Sequence, residues 1–166
     1  MAFFTLSITR WARRLIIFAV VFAVAFLWQH WQPARQVALH QQHLVEAVEN
    51  KNVKRVRALL ADDYSDRFGH LQETVVSDLR EVLQQFLVLT LHPQGERMDF
   101  QDETRAVITT NLTISGNGFG AADMICREVN SLSSPWVFHW RRQSWLPWDW
   151  KLQSVDNASL KLPTLF

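Results

Sequence analysis

The sequence offers little on which the common catalytic and stapling signatures depend. It has one cysteine, Cys126, so no internal disulfide can form and the fold must rest on its core. No base is tied to Cys126 by a recognisable signature, and it reads as a small buried hydrophobe rather than a nucleophile. It has one tyrosine, Tyr64. Charge of one sign is missing too: 17 Lys and Arg stand against 16 Asp and Glu, a net charge of +1. That leaves no case for nucleic acid as a partner, which needs a one-sided basic face. No HExxH pair occurs. His40, His43 and Glu46 step round a helix through about 120°, so they do not converge on a metal. Neither a metal nor a cofactor is expected.

Apolar residues are abundant and unevenly placed. At 166 residues the chain suits one domain plus a short extra segment. The segment is Leu15–Trp28 (LIIFAVVFAVAFLW), preceded by Arg10, Arg13 and Arg14. It is shorter than the roughly 20 residues that span a hydrocarbon core. Trp11 and Trp31 suit the two interfaces, and the arginines can snorkel, which lengthens it in effect. Its Leu, Ile, Val and Phe residues sum to roughly −3 to −6 kcal/mol of insertion energy. The expectation is a cytoplasmic segment over 1–14, a transmembrane anchor over 15–31, a linker over 32–36 and a folded domain over 37–162. The positive-inside rule leaves the N-terminus cytoplasmic and the domain extracytoplasmic. A signal peptide cut near Ala23-Val24-Ala25 is the rival, but it would leave an odd mature start at Phe26-Leu27-Trp28.

The domain opens with helical patterning. Val37, Leu44, Val45 and Val48 share a face, and a second helix over 53–61 buries Val53, Val56 and Leu60. Asp62-Asp63-Tyr64-Ser65-Asp66 breaks it; Asp at such a junction most simply forms turns and caps. A third helix starts near Glu73 or Thr74 and gives way to a strand near Phe86 or Leu87. Leu87–His92 and Arg97–Gln101 read as extended on either side of a turn at Pro93-Gln94-Gly95. Arg105–Ser115 alternates as a half-buried strand, and Gly116-Asn117-Gly118 ends it. Ala121–Leu132 is spaced for a helix that packs on a sheet edge or covers an opening. Pro135–Leu160 then reads as a Trp-rich hairpin: Trp136, Phe138 and Trp140 share a face of its first strand, and Trp148, Trp150 and Leu152 share a face of its second. Trp145 in its turn has no obvious internal partner and is the one credible contact residue.

Several stretches carry a resemblance: Ala47-Val48-Glu49-Asn50-Lys51-Asn52, Leu59-Leu60-Ala61-Asp62-Asp63-Tyr64, Arg105-Ala106-Val107, Phe138-His139-Trp140 and Trp150-Lys151-Leu152. In that order, over roughly residues 36–160, they resemble the nuclear-transport-factor-2-like superfamily, also called ketosteroid-isomerase-like or SnoaL-like. The resemblance implies an α+β cone, with about three helices packed in a curved antiparallel sheet. Enzymes of that superfamily place an Asp base and Tyr or acid donors inside the cone. That constellation does not map here residue by residue. Tyr64, Asp66, His139 and Arg141 are the weak pocket candidates, and Asp99 can also face the cone or solvent. One register slip would exchange those faces.

Three functional readings follow, in this order. The first is a membrane-anchored, non-catalytic domain that binds an envelope partner or scaffolds a complex; it resembles the secretion-system component with a single-pass helix and a cone-shaped periplasmic domain. The second is a ligand-binding or isomerase/dehydratase-type enzyme using the cone. The third is a glycan-binding module using exposed Trp. An open pocket with two convergent ionisable groups would place the second first. A homodimer is implied only by family analogy. The sequons at Asn111 and Asn157 matter only in a glycosylating host.

Overall fold

The computed structural model describes residues 11–22 and 31–160. Residues 11–22 are helical (α1). Then follow helices α2 (Pro33–Glu49), α3 (Val53–Leu59) and α4 (Gln72–Gln84) and strands β1 (Phe86–Phe100) and β2 (Arg105–Gly118). Helix α5 (Ala122–Ser131) and strands β3 (Trp136–Arg142) and β4 (Trp150–Asn157) complete the chain. The four strands form one antiparallel sheet in the order β1-β2-β3-β4.

Among the described residues no helix is long and apolar enough to cross a membrane. The expected anchor over 15–31 is therefore unsupported, and residues 23–30 of it lie outside the described residues, as do 1–10 of the expected cytoplasmic segment. The expected linker over 32–36 is corrected: Pro33 opens α2, where its missing N–H costs nothing.

The Trp-rich hairpin supplies the heaviest part of the core. Trp140, Trp150 and Leu152 are each about 1% exposed. Each of the two indoles removes about 150–250 Å² from water, worth about 4–6 kcal/mol at about 25 cal/mol per Å². Cross-strand pairing sets Ala106 beside Trp140, Ile108 beside Phe138 and Thr110 beside Trp136. These pack on Val37, Leu44 and Ala47 of α2 and on Val56 of α3. Trp148 is corrected: it precedes β4 and is half exposed, because the strand begins only at Trp150.

Besides a register shift between Phe86 and Val88 at the start of β1, two irregularities bend the sheet and swap its faces. Register shifts between Gln94 and Arg97, where Gly95 takes φ +64°. What looked like a turn at Pro93-Gln94-Gly95 is thus a bulge inside one long strand. Leu89, Leu91 and Pro93 face inward before it, and Met98 packs inward after it. A second shift, beside His139 and Trp140, does the same for β4, so Trp150 and Leu152 share an inward face with Val155 and Asn157.

The glycines expected to end β2 instead extend it to Gly118. A Cβ on Gly116 would lie 2.4 Å from Val88 O, and one on Gly118 would lie 1.9 Å from Gln85 O. Both permit an approach between β2 and the start of β1 that no side chain allows.

β3 pairs only with the first half of β2, leaving the strand's far half with an open edge. Helix α5 covers it. Asn130 accepts from Ile114 N at 2.8 Å and donates to Ile114 O at 2.9 Å, imitating a neighbouring strand. Ala122, Ile125, Cys126 and Val129 pack with Leu83, Phe86, Leu89 and Ile114 in a second core cluster. Cys126 is a half-buried free thiol within it. Helix α5 thereby closes one end of the cone.

Candidate functional site

The helices and the sheet line a half-open cavity of about 410 Å³, within the size range of small-molecule sites. Its wall is largely apolar: Leu44, Val45 and Val48 from α2, Val75, Leu79 and Val82 from α4, with Ile125 and Val129 from α5. The sheet adds Leu89, Leu112, Phe138 and Val155 among others. Seven residues on this wall carry polar side-chain groups: Gln41, Tyr64, Asp66, His70, Asp78, Thr110 and, through its indole N–H, Trp136. The Thr110 hydroxyl is already used, donating to Gln94 O at 3.0 Å on the bulge.

The connection between α3 and α4 brings three of these groups together. It is sewn to the edge of β4, since Ala61 N donates to Leu152 O and Ser65 N to Gln153 O, at 2.9 and 3.2 Å. A tight turn follows. Asp66 Oδ1 accepts from the backbone N–H of Phe68 and of His70, both at 2.9 Å. Gly69 N donates to Asp66 O, and the turn needs Gly69 at φ +84°. The second carboxylate oxygen, Oδ2, lies 2.9 Å from His70 Nδ1.

An ionised carboxylate can only accept, so Nδ1 carries the proton and Nε2 is left with the free lone pair. The Asp66 side chain is 10% exposed and the His70 ring 32%. Asp66 therefore does two jobs, shaping the loop with one oxygen and orienting the imidazole with the other.

Tyr64 is buried beside this pair. Burial, aided by the negative charge of Asp66, pushes its hydroxyl up to about 12, against the pull of its hydrogen bond with the Val155 backbone. It stays a neutral phenol at any physiological pH.

Tyr64 and Asp66, two of the candidates read from the sequence, thus line the cavity. His139 and Arg141 do not. His139 Nε2 lies 3.8 Å from Asp156 Oδ2, and Arg141 makes a two-oxygen contact with Asp63 at 2.6 and 2.8 Å. That exposed contact holds the Asp63 carboxyl below its ordinary range. The β3 parity that turns Phe138 and Trp140 inward turns these two residues outward. Asp99 pairs with Arg97 on an exposed stretch of β1. Trp145 is 85% exposed in the hairpin connection.

Sequence reasoning passed over two residues. His70 lies four positions after Asp66 with a glycine between, a turn signal strong enough to suggest that they meet. Gln41 sits among Val37, Leu44, Val45 and Val48 on the apolar face of α2, and a polar residue on such a stripe is the informative kind. It is 2% exposed and its Oε1 accepts from Trp140 Nε1 at 3.0 Å.

No cluster of His, Cys, Asp or Glu suited to a metal ion occurs among the described residues. His40, which flanks the apolar face of α2, bonds the Gln36 carbonyl and stacks edge-on to Trp140, 6.0 Å between centroids. Asn157 is not free to carry a glycan: it is buried and bonded to Ser134.

No family model and no curated protein matches this sequence. Solved structures do. Bd1075 of Bdellovibrio bacteriovorus superposes with a TM-score of 0.57 at 7% identity, over 78% of this chain and 41% of that one. This chain thus spans well under half the length of that protein. A nuclear-transport-factor-2-like protein of Cytophaga hutchinsonii gives a TM-score of 0.53 at 18% identity, over 76% of this chain and 98% of its own. A hexachlorocyclohexane dehydrochlorinase of Novosphingobium barchaimii gives 0.55 at 12%, over 74% and 82%. Identities this low speak to the fold alone. The chain has the nuclear-transport-factor-2-like α+β fold, with a four-stranded antiparallel sheet.

Proposed function

We propose that the cavity is the site of a small-molecule enzyme of the isomerase or dehydratase type, with His70 as the base and Asp66 as the group that orients it. One observation carries this reading: the Asp66–His70 pair lies on the wall of a largely apolar cavity of about 410 Å³. It moves the enzyme reading ahead of the scaffold reading with which the sequence began. The dehydrochlorinase of like fold adds support, since elimination also begins with a base.

The chemistry follows from the geometry. His70 takes a proton from a substrate carbon through Nε2, and the Asp66 carboxylate, already bonded to Nδ1–H, stabilises the imidazolium that forms. The proton is then available for return to a different carbon, or to a departing hydroxyl. Tyr64, neutral and buried, is a donor rather than a second base. The apolar wall excludes water and raises the worth of each of these contacts.

The test is deuterium exchange at the α-carbon of a panel of apolar ketones small enough for the cavity, 2-acetylnaphthalene among them, followed by proton NMR in D2O. The full chain should accelerate exchange of at least one ketone. His70→Gln and Asp66→Asn should each cut that acceleration by roughly 10²- to 10³-fold, the second without disturbing the loop because Asn keeps an accepting oxygen. Exchange no faster than in buffer across the panel would sink the reading.

A second reading concerns location and is carried by α1. Leu15, Ile16, Ile17, Phe18, Val20, Val21 and Phe22 are each 55–73% exposed, and single exposed apolar residues are ordinary whereas a contiguous set marks an interaction surface. We infer that this segment seats in lipid, with Arg13 and Arg14 at the cytoplasmic headgroups. A periplasmic reporter fused after Phe166 should be active; activity only of a cytoplasmic reporter would overturn this.

A further inference from the structure

Over residues 31–160 the exposed tryptophans gather at one end of the domain. Of the six from Trp31 to Trp150, Trp140 and Trp150 are buried and Trp136 is half-buried, while Trp145, Trp148 and Trp31 are 85%, 50% and 49% exposed. The exposed three lie where α2 begins. Pro33, two residues after Trp31, shares a groove with Phe100 at the end of β1, Asp102 and Glu103 just after it, and Arg142 at the end of β3. Arg142 leads directly into the connection over 143–149, which carries Trp145 and Trp148. Phe100, itself 42% exposed, stands edge-on to Trp150 at the other foot of that connection, 6.3 Å between centroids.

The connection is braced rather than loose. Gln143 N donates to Asp149 O at 2.9 Å, Asp149 N to Leu146 O at 3.2 Å and Leu146 N to Ser144 Oγ at 3.2 Å. Buried Trp150 donates through Nε1 to Pro147 O at 2.9 Å, which ties the connection to the core. On this frame the Trp145 ring is held outward, where it adds little to the fold. An indole joins an apolar body to one N–H donor, the combination that gathers between hydrocarbon and headgroups. The same end of the domain is where the chain arrives from α1, whose apolar side chains are exposed. Eight residues separate Phe22 from Trp31, a reach of at most about 30 Å. A bilayer that receives α1 therefore lies close to Trp31, Trp145 and Trp148.

We propose that the 143–149 connection is a second lipid contact, with Trp145 and Trp148 lodged among the headgroups of the bilayer that receives α1. The proposal rests on the lipid seating of α1 and adds the orientation of the domain. Charge at this end is balanced: Arg105 and Arg141 are paired with Asp102 and Asp63, and Glu103 stands in the groove with Arg142. No basic patch selects anionic lipid, so the contact belongs to the indoles. β4 runs away from this end, from Trp150 to Asn157. Beyond that strand, Leu160 O accepts from Arg67 of the Asp66–His70 loop at 3.1 Å. The docked domain thus holds its Asp66–His70 pair at the end remote from the membrane.

The test is fluorine NMR of the full chain carrying 5-fluorotryptophan, in phosphatidylcholine nanodiscs whose lipid bears a headgroup nitroxide. Trp145→Phe, Trp148→Phe, Trp136→Phe and Trp11→Phe each remove one signal and so assign it; Trp145 and Trp11 are exposed enough for the change to leave the fold alone. The nitroxide should erase the Trp145 and Trp148 signals. It should spare Trp136, which opens β3 and lies a strand's length of roughly 20 Å from Arg142. Reducing the nitroxide with ascorbate should restore the lost signals, giving each its own reference. A Trp145 signal that stands as well as that of Trp136 would overturn the proposal. So would a Trp145 signal shielded from a soluble gadolinium chelate yet untouched by the lipid, the mark of a protein cover. Trp11 reports on α1 separately. Trp11 erased with Trp145 standing keeps α1 in lipid and removes this contact; Trp145 erased with Trp11 standing keeps the contact and removes the seating of α1.

Discussion

Trp140 donates its indole N–H to Gln41 Oε1 at 3.0 Å, joining β3 to α2 across 99 positions of sequence with both side chains buried. This bond fixes the helix against the hairpin. Trp140→Phe removes the donor and part of the ring, leaving the Gln41 oxygen buried and unpaired. The expected loss is about 3 kcal/mol, the orphan and the lost volume together. Urea unfolding would measure it. A loss below about 1 kcal/mol would mean that the bond is incidental.

Tyr64 provides an unusually clean titration because it is the only tyrosine. Its phenol should ionise with a midpoint of about 12 in the folded chain and near its ordinary 10.0 in urea. The sign follows: the folded state disfavours the phenolate, so stability is lost as pH rises above 10 towards 12. Absorbance near 295 nm, read against a Tyr64→Phe blank, gives both midpoints. Asp66→Asn should lower the folded midpoint, since the carboxylate charge contributes to the shift.

His40 should make the fold acid-sensitive. Burial lowers its ring from the ordinary 6.5, with His43 and Lys151 acting in the same direction and the Gln36 carbonyl and Asp149 opposing. A histidine lowered in the folded state takes up a proton on unfolding, so stability falls as pH drops below 6.5. Denaturant midpoints at pH 7.5 and pH 5.5 should differ more in the wild type than in His40→Gln. Equal differences would remove His40 as the cause.

The glycines of the sheet divide into two kinds that alanine substitution separates. A Cβ on Gly118 meets Gln85 O and Phe86 Cα at 1.9 and 2.7 Å, both backbone atoms that cannot swing aside. Gly118→Ala should cost about 3 kcal/mol or more. Gly95 has open space round it and only its φ of +64° to defend, so Gly95→Ala should cost about 1 kcal/mol. Thermal midpoints of the two variants would rank them; the reverse order would refute the close packing of β2 on the start of β1.

Much of the architecture was legible because period and pattern are local properties. The faces of α2 and α4, the start of β1 at Phe86 and the inward Phe138 and Trp140 all follow from spacing in short windows. Two of the errors were of one kind. Pro93-Gln94-Gly95 and Gly116-Asn117-Gly118 carry turn chemistry, yet both stay in strands. Pairing with a neighbour overrode the local preference, and a bulge absorbed the strain in the first case.

The candidate site was half legible, for a physical reason. Asp66 and Tyr64 were visible as an acidic break with a lone tyrosine, and the spacing of Asp66, Gly69 and His70 suggests a turn, but only the edge pairing with β4 sets that turn against the cavity. Gln41 was visible only as a polar residue on an apolar stripe.

The sequence alone determined the helical faces, the aromatic weight of the final hairpin and the order of elements, because these depend on residues a few positions apart. Only the tertiary structure decided which polar groups meet a cavity. The bulges in β1 and β4 exchange the faces of those strands, the plain alternation of β3 leaves His139 and Arg141 outward, and an edge pairing with β4 brings Tyr64, Asp66 and His70 inward. A side chain's face in a sheet changes with a single-residue slip, and that slip is settled by contacts made across the whole chain.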